Sequence, residues 1–507
     1  MDIITATSLF FALIFGVSYA WGMRGTTIGG EKGAMLPGAI IGLLIAFFSK
    51  ILIAQEHFYI FASLGAVSMY LGGSMTYGET LGLSMNKKPA DNMKKGLIAL
   101  FVKGFLWFGL FGALFTTGIN AVCGMYRVYE LVVLFILTPA IAVAGYFIFN
   151  KPLNPKEKKF PKIYFSKTRQ ESWGALLGAF LVLFMFAAIK LNTLTIIFSL
   201  SCAVFGGVGW VIGQLMQIYS IHYAESSKSN FCRKFSNNND IDSWKIMECV
   251  LGAFGGLGSA VGFLLTYENF KLTLFNLEKN DGLVPLNKTL VLILFIVWVL
   301  LIVGDMVHYF IKKPITKKEL KKQLKRKQIT QEQYAVKRLK AVTAVPRGYE
   351  IYDNFTEKIE PVLYSAVPFI LICVGSVQAA LITSFFLIFL VIAQEVGLEK
   401  SITKRFDLPF KIVLGVISVV IFTIQVAFNF DFSVIGTILL YTLGYELMTM
   451  VWLGIKTVRL FNKRIRNSTE TIIKKEKFKL FVKENKTIIT VHTYFTFCMI
   501  LVLLFII

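Results

Sequence analysis

The sequence is poor in the residues that a soluble enzyme or a metal-binding protein needs. Only 16% of its 507 residues are charged, and it has six cysteines and four histidines. These residues show no CxxC, HxxxH or HExxH spacing, so we expect no metal site, no disulfide framework and no cofactor. Segment 25–32 resembles a phosphate-binding loop only superficially, because Glu31 stands where such a loop has its lysine.

Long apolar runs dominate the chain instead. It is 55% hydrophobic with a mean hydropathy of +0.65, and many runs reach the roughly 20 residues that span a bilayer. We predict an all-α, polytopic integral membrane helix bundle of about 14 transmembrane helices. The runs lie at about 3–22, 34–54, 58–84, 97–120, 129–149, 172–190, 193–218, 247–266, 288–311, 360–378, 380–398, 410–428, 432–455 and 488–507.

The basic residues indicate how the chain is oriented. The formal charge of +23 is concentrated in loops: segment 312–358 has fourteen basic and five acidic residues, and 150–170 has seven against one. Basic loops lie on the cytoplasmic side of membrane proteins, so both termini are predicted outside and segment 22–33 inside. Because the charge follows topology, no nucleic-acid partner is expected.

The same basic segment divides the chain. We predict helices 1–9 and a motif-bearing core in residues 1–311, a basic cytoplasmic connector at 312–358, and helices 10–14 in residues 359–507. The connector has a helical composition and is predicted to lie on the inner membrane surface, against anionic lipids. The alternative is a solvated basic connector that binds nothing.

One glycine-dense, charged segment interrupts the first two apolar runs. Residues 22–33 contain five glycines together with Arg24, Glu31 and Lys32. Glycines allow backbone N–H groups to converge, an arginine binds anions in a bidentate manner, and a helix that starts near Gly33 directs its positive end to the same place. This pattern predicts a substrate-binding site made of Arg24, Gly25, Gly29, Gly30, Glu31 and Lys32. A tight turn with Arg24 paired to Glu31 fits the pattern as well.

Acidic residues inside apolar runs form the second candidate site. Intramembrane carboxylates usually face a cavity, pair with a cation or relay protons. We predict Glu79, Asp305 and Glu446 as ion-coupling residues. In the alternative interpretation, each acid pairs with Lys103, Arg24 or Lys245 and serves only packing.

A third charged group opens a glycine-rich helix. Lys245 and Glu248 stand three residues apart at its start, on the same predicted side as Arg24 and Glu31. We therefore add Lys245 and Glu248 to the substrate-binding residues of one shared vestibule. Residues 72–79 and 207–214 match at a constant offset, which indicates a parallel internal repeat of the kind found in transporters.

Several motifs resemble those of a known family. The residues Trp21-Gly-Met-Arg24-Gly, Gly30-Glu31-Lys-Gly-Ala-Met-Leu-Pro37-Gly and Trp244-Lys-Ile-Met-Glu248 are similar to motifs of uncharacterised bacterial multi-spanning membrane proteins. The resemblance covers roughly the first 260 residues and implies a multi-pass protein of the bacterial inner membrane. In that family the position of Gly30 is commonly a histidine, so a role that needs an imidazole is not expected here.

Two functions fit these observations. The first is a secondary transporter, coupled to protons or sodium, for an anionic or polyhydroxylated small solute. The alternative is a membrane-embedded enzyme or flippase that acts on a lipid-linked substrate of the polyprenyl-phosphate type at the cytoplasmic face. A structural protein without turnover is a third hypothesis, and the density of intramembrane charge argues against it.

Overall fold

The computed structural model describes residues 1–24, 30–73, 78–85, 90–150, 163, 165, 171–227, 243–279, 300, 324, 330–336, 362–377, 379–384, 386–387 and 390. Within these residues all regular secondary structure is helical. The chain packs as two units, Met1–Val284 with Phe369–Ile507 and, separately, Pro285–Pro368. The first unit contains every predicted site residue whose side chain the structure describes.

Twelve α-helices are described. They are α1 Ile3–Met23, α2 Gly30–Phe48, α3 Leu52–Glu56, α4 Phe58–Gly72, α5 Gly78–Ser84, α6 Ala90–Val122, α7 Val128–Gly145, α8 Trp173–Ile189, α9 Thr193–His222, α10 Ser243–Leu265, α11 Tyr267–Lys279 and α12 Val367–Cys373, with π-helical turns at Tyr146–Asn150 and Val362–Ala366. Six segments among the described residues are long and apolar enough to cross a membrane: α1, α2, α6, α7 with its π-helical turn, α9 and α10.

The predicted all-helical fold class is therefore confirmed, with six candidate membrane spans among the described residues. Each of the eight apolar runs predicted before residue 279 coincides with helix, although run 58–84 forms two helices, α4 and α5. Helix α2 begins at Gly30, a few residues before the predicted start. Most of run 360–378 is described and contains a π-helical turn and α12, whereas the runs at 288–311 and from 380–398 onward lie wholly or mostly outside the described residues. Most of the 312–358 connector also lies outside them; its described residues are 324 and 330–336, of which 331–336 form a short helical stretch.

Side-chain caps fix two helix starts. Asp2 precedes α1, and its Oδ1 accepts a 2.8 Å hydrogen bond from the Thr5 backbone N–H. That bond lowers the pKa of Asp2 below its ordinary value of 3.8. Asn192 precedes α9 and accepts a 2.9 Å bond from the Thr195 N–H through Oδ1. Both caps satisfy backbone donors that a helix start leaves unpaired.

Glycines let the helices approach closely, as is usual where lipid supplies no hydrophobic driving force. A Cβ on Gly38 of α2 would lie 2.2 Å from the Gly65 carbonyl oxygen of α4, and one on Gly65 would lie 2.1 Å from the Gly38 oxygen. The backbones of α2 and α4 therefore touch. The same close approach joins α6 to α9 at Gly104 and α10 to α1 at Gly252, where a Cβ would lie 2.5 Å from a backbone oxygen of the neighbouring helix.

Helices α7 and α8 pack together beside this bundle. A Cβ on Gly145 would lie 2.2 Å from the Gly174 oxygen, and Asn150 accepts a 2.8 Å bond from the Gly174 N–H. The opposite face of α7 exposes large apolar side chains, for example Ile136 at 63%. A helix face of this kind is suited to contact with lipid.

The contact register places the charged ends of several helices at one level. Helix α10 is antiparallel to α1, since Gly252 lies against Trp21 and Gly256 against Leu13. Helices α6 and α9, α9 and α10, and α2 and α4 are antiparallel by the same criterion. The end of α1, the starts of α2, α6 and α10, and the end of α9 therefore lie at the same end of the bundle, which we call the Arg24 end.

Candidate functional site

A layer of buried tryptophans forms the inner boundary of the site. Trp21 of α1, Trp107 of α6 and Trp210 of α9 are each no more than 1% exposed. The ring centroids of Trp21 and Trp107 are 5.3 Å apart, and those of Trp107 and Trp210 are 6.0 Å apart. Trp107 also donates a 3.0 Å hydrogen bond from Nε1 to the Met69 carbonyl. These contacts tie α1, α4, α6 and α9 together at one level.

Arg24 lies over this layer. It is the C-cap of α1 and only 3% exposed. Its Cζ lies 4.7 Å from the Trp21 ring centroid and 5.1 Å from that of Trp107. Nε and Nη2 donate to the Gly30 carbonyl at 3.1 and 3.0 Å. A guanidinium stacked on aromatic rings gains roughly 2 kcal/mol per desolvated contact, so this cation is held in position.

Gly30 and Glu31 begin α2 beside Arg24. Gly30 has φ of +66°, and a Cβ there would meet nothing within 4 Å. The glycine is therefore required by the backbone dihedral and not by space. The described contacts of the Arg24 guanidinium include the Gly30 carbonyl, and the alternative of a simple Arg24–Glu31 pair stays a prediction. Lys32 is buried in the same helical turn, 8% exposed.

Lys245 and Glu248 connect α10 to the end of α1. The Lys245 ammonium lies 2.7 Å from Glu248 Oε2 and donates to the Arg24 carbonyl at 3.2 Å. Helix C-termini leave carbonyl groups without partners inside the helix, and a lysine satisfies one of them here. The structure thus brings together Arg24, Gly30, Lys245 and Glu248, which the sequence assigned to one vestibule.

Polar side chains on four helices lie one turn beyond the tryptophan layer. On each helix the polar residue is three or four positions nearer the Arg24 end than the residue at the tryptophan level. The pairs are Trp21 and Arg24 on α1, Trp107 and Lys103 on α6, Trp210 and Gln214 on α9, and Gly252 and Glu248 on α10. A turn advances the chain by ~5 Å. This polar layer therefore lies directly above the tryptophans and inside the bundle.

Two amides of this region have no hydrogen-bond partner. Gln214 and Gln217 of α9 are both 0% exposed, and neither the oxygen nor the nitrogen of either amide is bonded in the described structure. Leaving a buried polar group unpaired costs roughly 1–3 kcal/mol. Two adjacent unpaired amides are therefore a feature that needs a reason.

Sequence reasoning missed a buried ion pair. Lys103 Nζ of α6 lies 3.1 Å from Glu171 Oε1, with side-chain exposures of 1% and 0%. Lys103 also donates to Thr80 Oγ1 of α5 at 2.9 Å, and Glu171 Oε2 accepts a 2.9 Å bond from the Phe165 N–H. The available signal was a lysine within the apolar run 97–120, a position that is rarely occupied without a functional or structural reason.

Several predicted residues lie outside what the structure describes. Gly25, Gly29, Asp305 and Glu446 are among them. The backbone of Glu79 is described in the first turn of α5, next to Thr80, but its side chain is not. Within the described residues, no cluster of three or more histidines, cysteines or acids could hold a metal ion.

Comparison with known proteins finds no relative. No protein-family model, no curated protein and no solved structure matches this chain. The resemblance to multi-spanning bacterial proteins stays a prediction, and the site must be interpreted from its own chemistry.

Proposed function

We propose that this protein is a secondary transporter, coupled to protons or sodium, for an anionic or polyhydroxylated small solute. The observation that carries the proposal is Arg24, a buried guanidinium fixed over two tryptophan rings between membrane-type helices. An arginine is always charged and recognises carboxylate or phosphate through paired N–H donors. An anionic group is therefore the natural ligand at the Arg24 end.

The break between α4 and α5 supports transport. One apolar run, 58–84, forms two helices, and the second starts at the level where Lys103 binds Thr80. Transporters commonly build their sites where helices are interrupted near polar residues. Glu79 adjoins Thr80, so we assign ion coupling first to Glu79, and then to Asp305 and Glu446.

The wider topology belongs to the same proposal. We infer about 14 transmembrane helices, both termini outside, a parallel internal repeat and a location in the bacterial inner membrane, with the 312–358 connector on anionic lipids. The positive-inside pattern supports this orientation, because α6 begins at the Arg24 end and the sequence around its start, 86–96, is basic.

The first test is native mass spectrometry of protein purified in mild detergent. Wild type, Arg24→Ala and Arg24→Lys are compared for small molecules that copurify. We expect a water-soluble anion or polyol with the wild type, its loss in Arg24→Ala, and a reduced amount in Arg24→Lys, since lysine lacks the planar donor pair. Lys190→Ala, at the other end of the bundle, is the matched control and should retain the molecule.

Two outcomes count against the proposal. A polyprenyl-phosphate or another lipid-linked species that is lost in Arg24→Ala would favour the membrane-embedded enzyme or flippase. The same copurifying molecule at equal occupancy in Arg24→Ala and wild type would show that Arg24 does not bind it. Elution volume and apparent melting temperature establish that each variant is folded before the spectra are compared.

A further inference from the structure

The two unpaired glutamine side chains, Gln214 and Gln217, lie on one face of α9. Trp210, Gln214 and Gln217 are spaced at i, i+4 and i+7, which places them in a row along the helix. The first member of the row contacts Trp107, at 6.0 Å between ring centroids, and Arg24 stacks on that same Trp107 ring. The two amides follow on the same face toward the Arg24 end.

Packing alone does not explain these amides. Buried amides in native proteins are normally bonded, as two asparagines of this chain show: Asn120 is 1% exposed and its Nδ2 donates to the Thr116 carbonyl at 2.8 Å, and Asn150 is 0% exposed and its Oδ1 accepts from the Gly174 N–H at 2.8 Å. Gln214 and Gln217 are equally buried, yet all four of their amide N and O atoms lack a partner in the described structure. An apolar side chain would fill the same space without that cost.

We propose that Gln214 and Gln217 bind the hydroxyl groups of the ligand whose anionic group Arg24 binds, so that the substrate class is a polyhydroxylated carboxylate, such as a sugar acid. This inference rests on the proposed function and narrows it. Each amide offers both an acceptor and donors, and a hydroxyl group satisfies both kinds. A simple apolar acid would leave the amides unpaired, and the paired N–H donors of Arg24 favour a carboxylate over a neutral group.

The spacing suits a single extended ligand. Gln214 and Gln217 are three residues apart, which separates them by ~5 Å along the helix axis. The two amides can therefore reach different hydroxyl groups of one carbon chain. An acid without hydroxyl groups should bind less tightly, because it would leave both buried amides without hydrogen bonds.

The test measures binding of matched six-carbon probes to the purified full-length protein in nanodiscs. Gluconate and galactonate carry a carboxylate and hydroxyl groups, hexanoate carries only the carboxylate, and sorbitol carries only hydroxyl groups. Wild type should bind at least one sugar acid more than tenfold more tightly than hexanoate or sorbitol. Gln214→Met and Gln217→Met should each weaken sugar-acid binding by about tenfold, the effect of one or two lost hydrogen bonds, without weakening hexanoate binding.

Controls separate this inference from the proposed function. Gln55→Met removes a glutamine whose Nε2 donates to the Phe47 carbonyl at 3.0 Å in the hairpin between α2 and α4, and it should leave sugar-acid affinity unchanged. Gln214→Met and Gln217→Met should melt at or above the wild-type temperature, because an unpaired polar group has been removed. A fall in melting temperature would mark the amides as structural and overturn the inference.

Other results are equally decisive. Wild-type protein that binds hexanoate as well as the sugar acids, or that binds none of the probes, overturns the assignment of substrate class. Sugar-acid binding that survives both glutamine variants but is lost in Arg24→Ala contradicts this inference and leaves the proposed anion site intact. If Arg24→Ala still binds all the carboxylates, Arg24 is not the anion site, and the proposed function is wrong as well.

Discussion

The buried pair of Lys103 and Glu171 gives a quantitative prediction. The two charges are 3.1 Å apart and almost fully buried, and they connect α6 to the segment that precedes α8. Replacing Lys103 with methionine keeps an unbranched side chain of similar length but leaves the Glu171 carboxylate buried without its cation. Replacing Glu171 with glutamine removes one carboxylate partner of the Lys103 ammonium.

The expected magnitude follows from the geometry. Two unit charges at 3.1 Å attract by about 5 kcal/mol at an effective dielectric constant of 20. Removing one partner of a buried pair typically costs about 3–5 kcal/mol, because the remaining charge is desolvated and uncompensated. Lys103→Met should lower the free energy of unfolding by that amount, and Glu171→Gln should lower it as well. The double variant should lose less than Lys103→Met, because the buried Glu171 carboxylate is no longer present.

The assay is equilibrium unfolding in mixtures of mild detergent and SDS, followed by tryptophan fluorescence. The matched control is the pair of Lys190 and Glu130, whose lysine side chain is 35% exposed. Lys190→Met should have a much smaller effect, since solvent screens an exposed pair. A double variant at Lys103 and Glu171 that loses the sum of the two single losses would refute the reasoning, because it would show that the two side chains act independently.

Two further predictions concern helix packing and coupling. Gly38→Ala should lower the free energy of unfolding by about 1–3 kcal/mol, because a Cβ there would lie 2.2 Å from the Gly65 oxygen. The control is Gly82→Ala, whose new Cβ would have nothing within 4 Å. Equal losses in the two variants would contradict the close contact between α2 and α4. Glu79→Gln should abolish proton- or sodium-dependent uptake into vesicles while elution volume and melting temperature stay near wild type, since the amide keeps the shape and removes the charge. Full ion-dependent uptake by Glu79→Gln would assign coupling to another residue.

Much of the described fold could be predicted from the sequence. A helix satisfies its own backbone hydrogen bonds, so an apolar run of about 20 residues specifies a membrane helix almost regardless of its neighbours. The run at 193–218 became α9, Thr193–His222, and the run at 3–22 became α1, Ile3–Met23. Run 58–84 was harder, because hydropathy does not show where an apolar segment stops being one helix.

The candidate site was only partly predictable. Arg24, Lys245 and Glu248 stood out because charge is costly inside an apolar run, and the structure brings them together. Trp107 gave no such signal, since a tryptophan in an apolar helix is unremarkable until its surroundings are known. Gln214 was marked only by its match to Glu79 in the predicted repeat. The pairing of Lys103 with Glu171 was missed because each residue has several oppositely charged candidates along the chain.

The sequence by itself determined the helices and the end of the bundle at which charge collects, because both depend on local hydropathy and on the position of basic loops. Only the tertiary structure decided which side chains meet. Arg24 lies over Trp107 where Gly72 lets α4 approach Trp107 of α6 and Gly252 lets α10 approach α1. The amides of Gln214 and Gln217 are buried and unpaired because their side of α9 is enclosed. Side-chain partners depend on helix rotation and separation, and these are set by contacts between residues far apart in the chain.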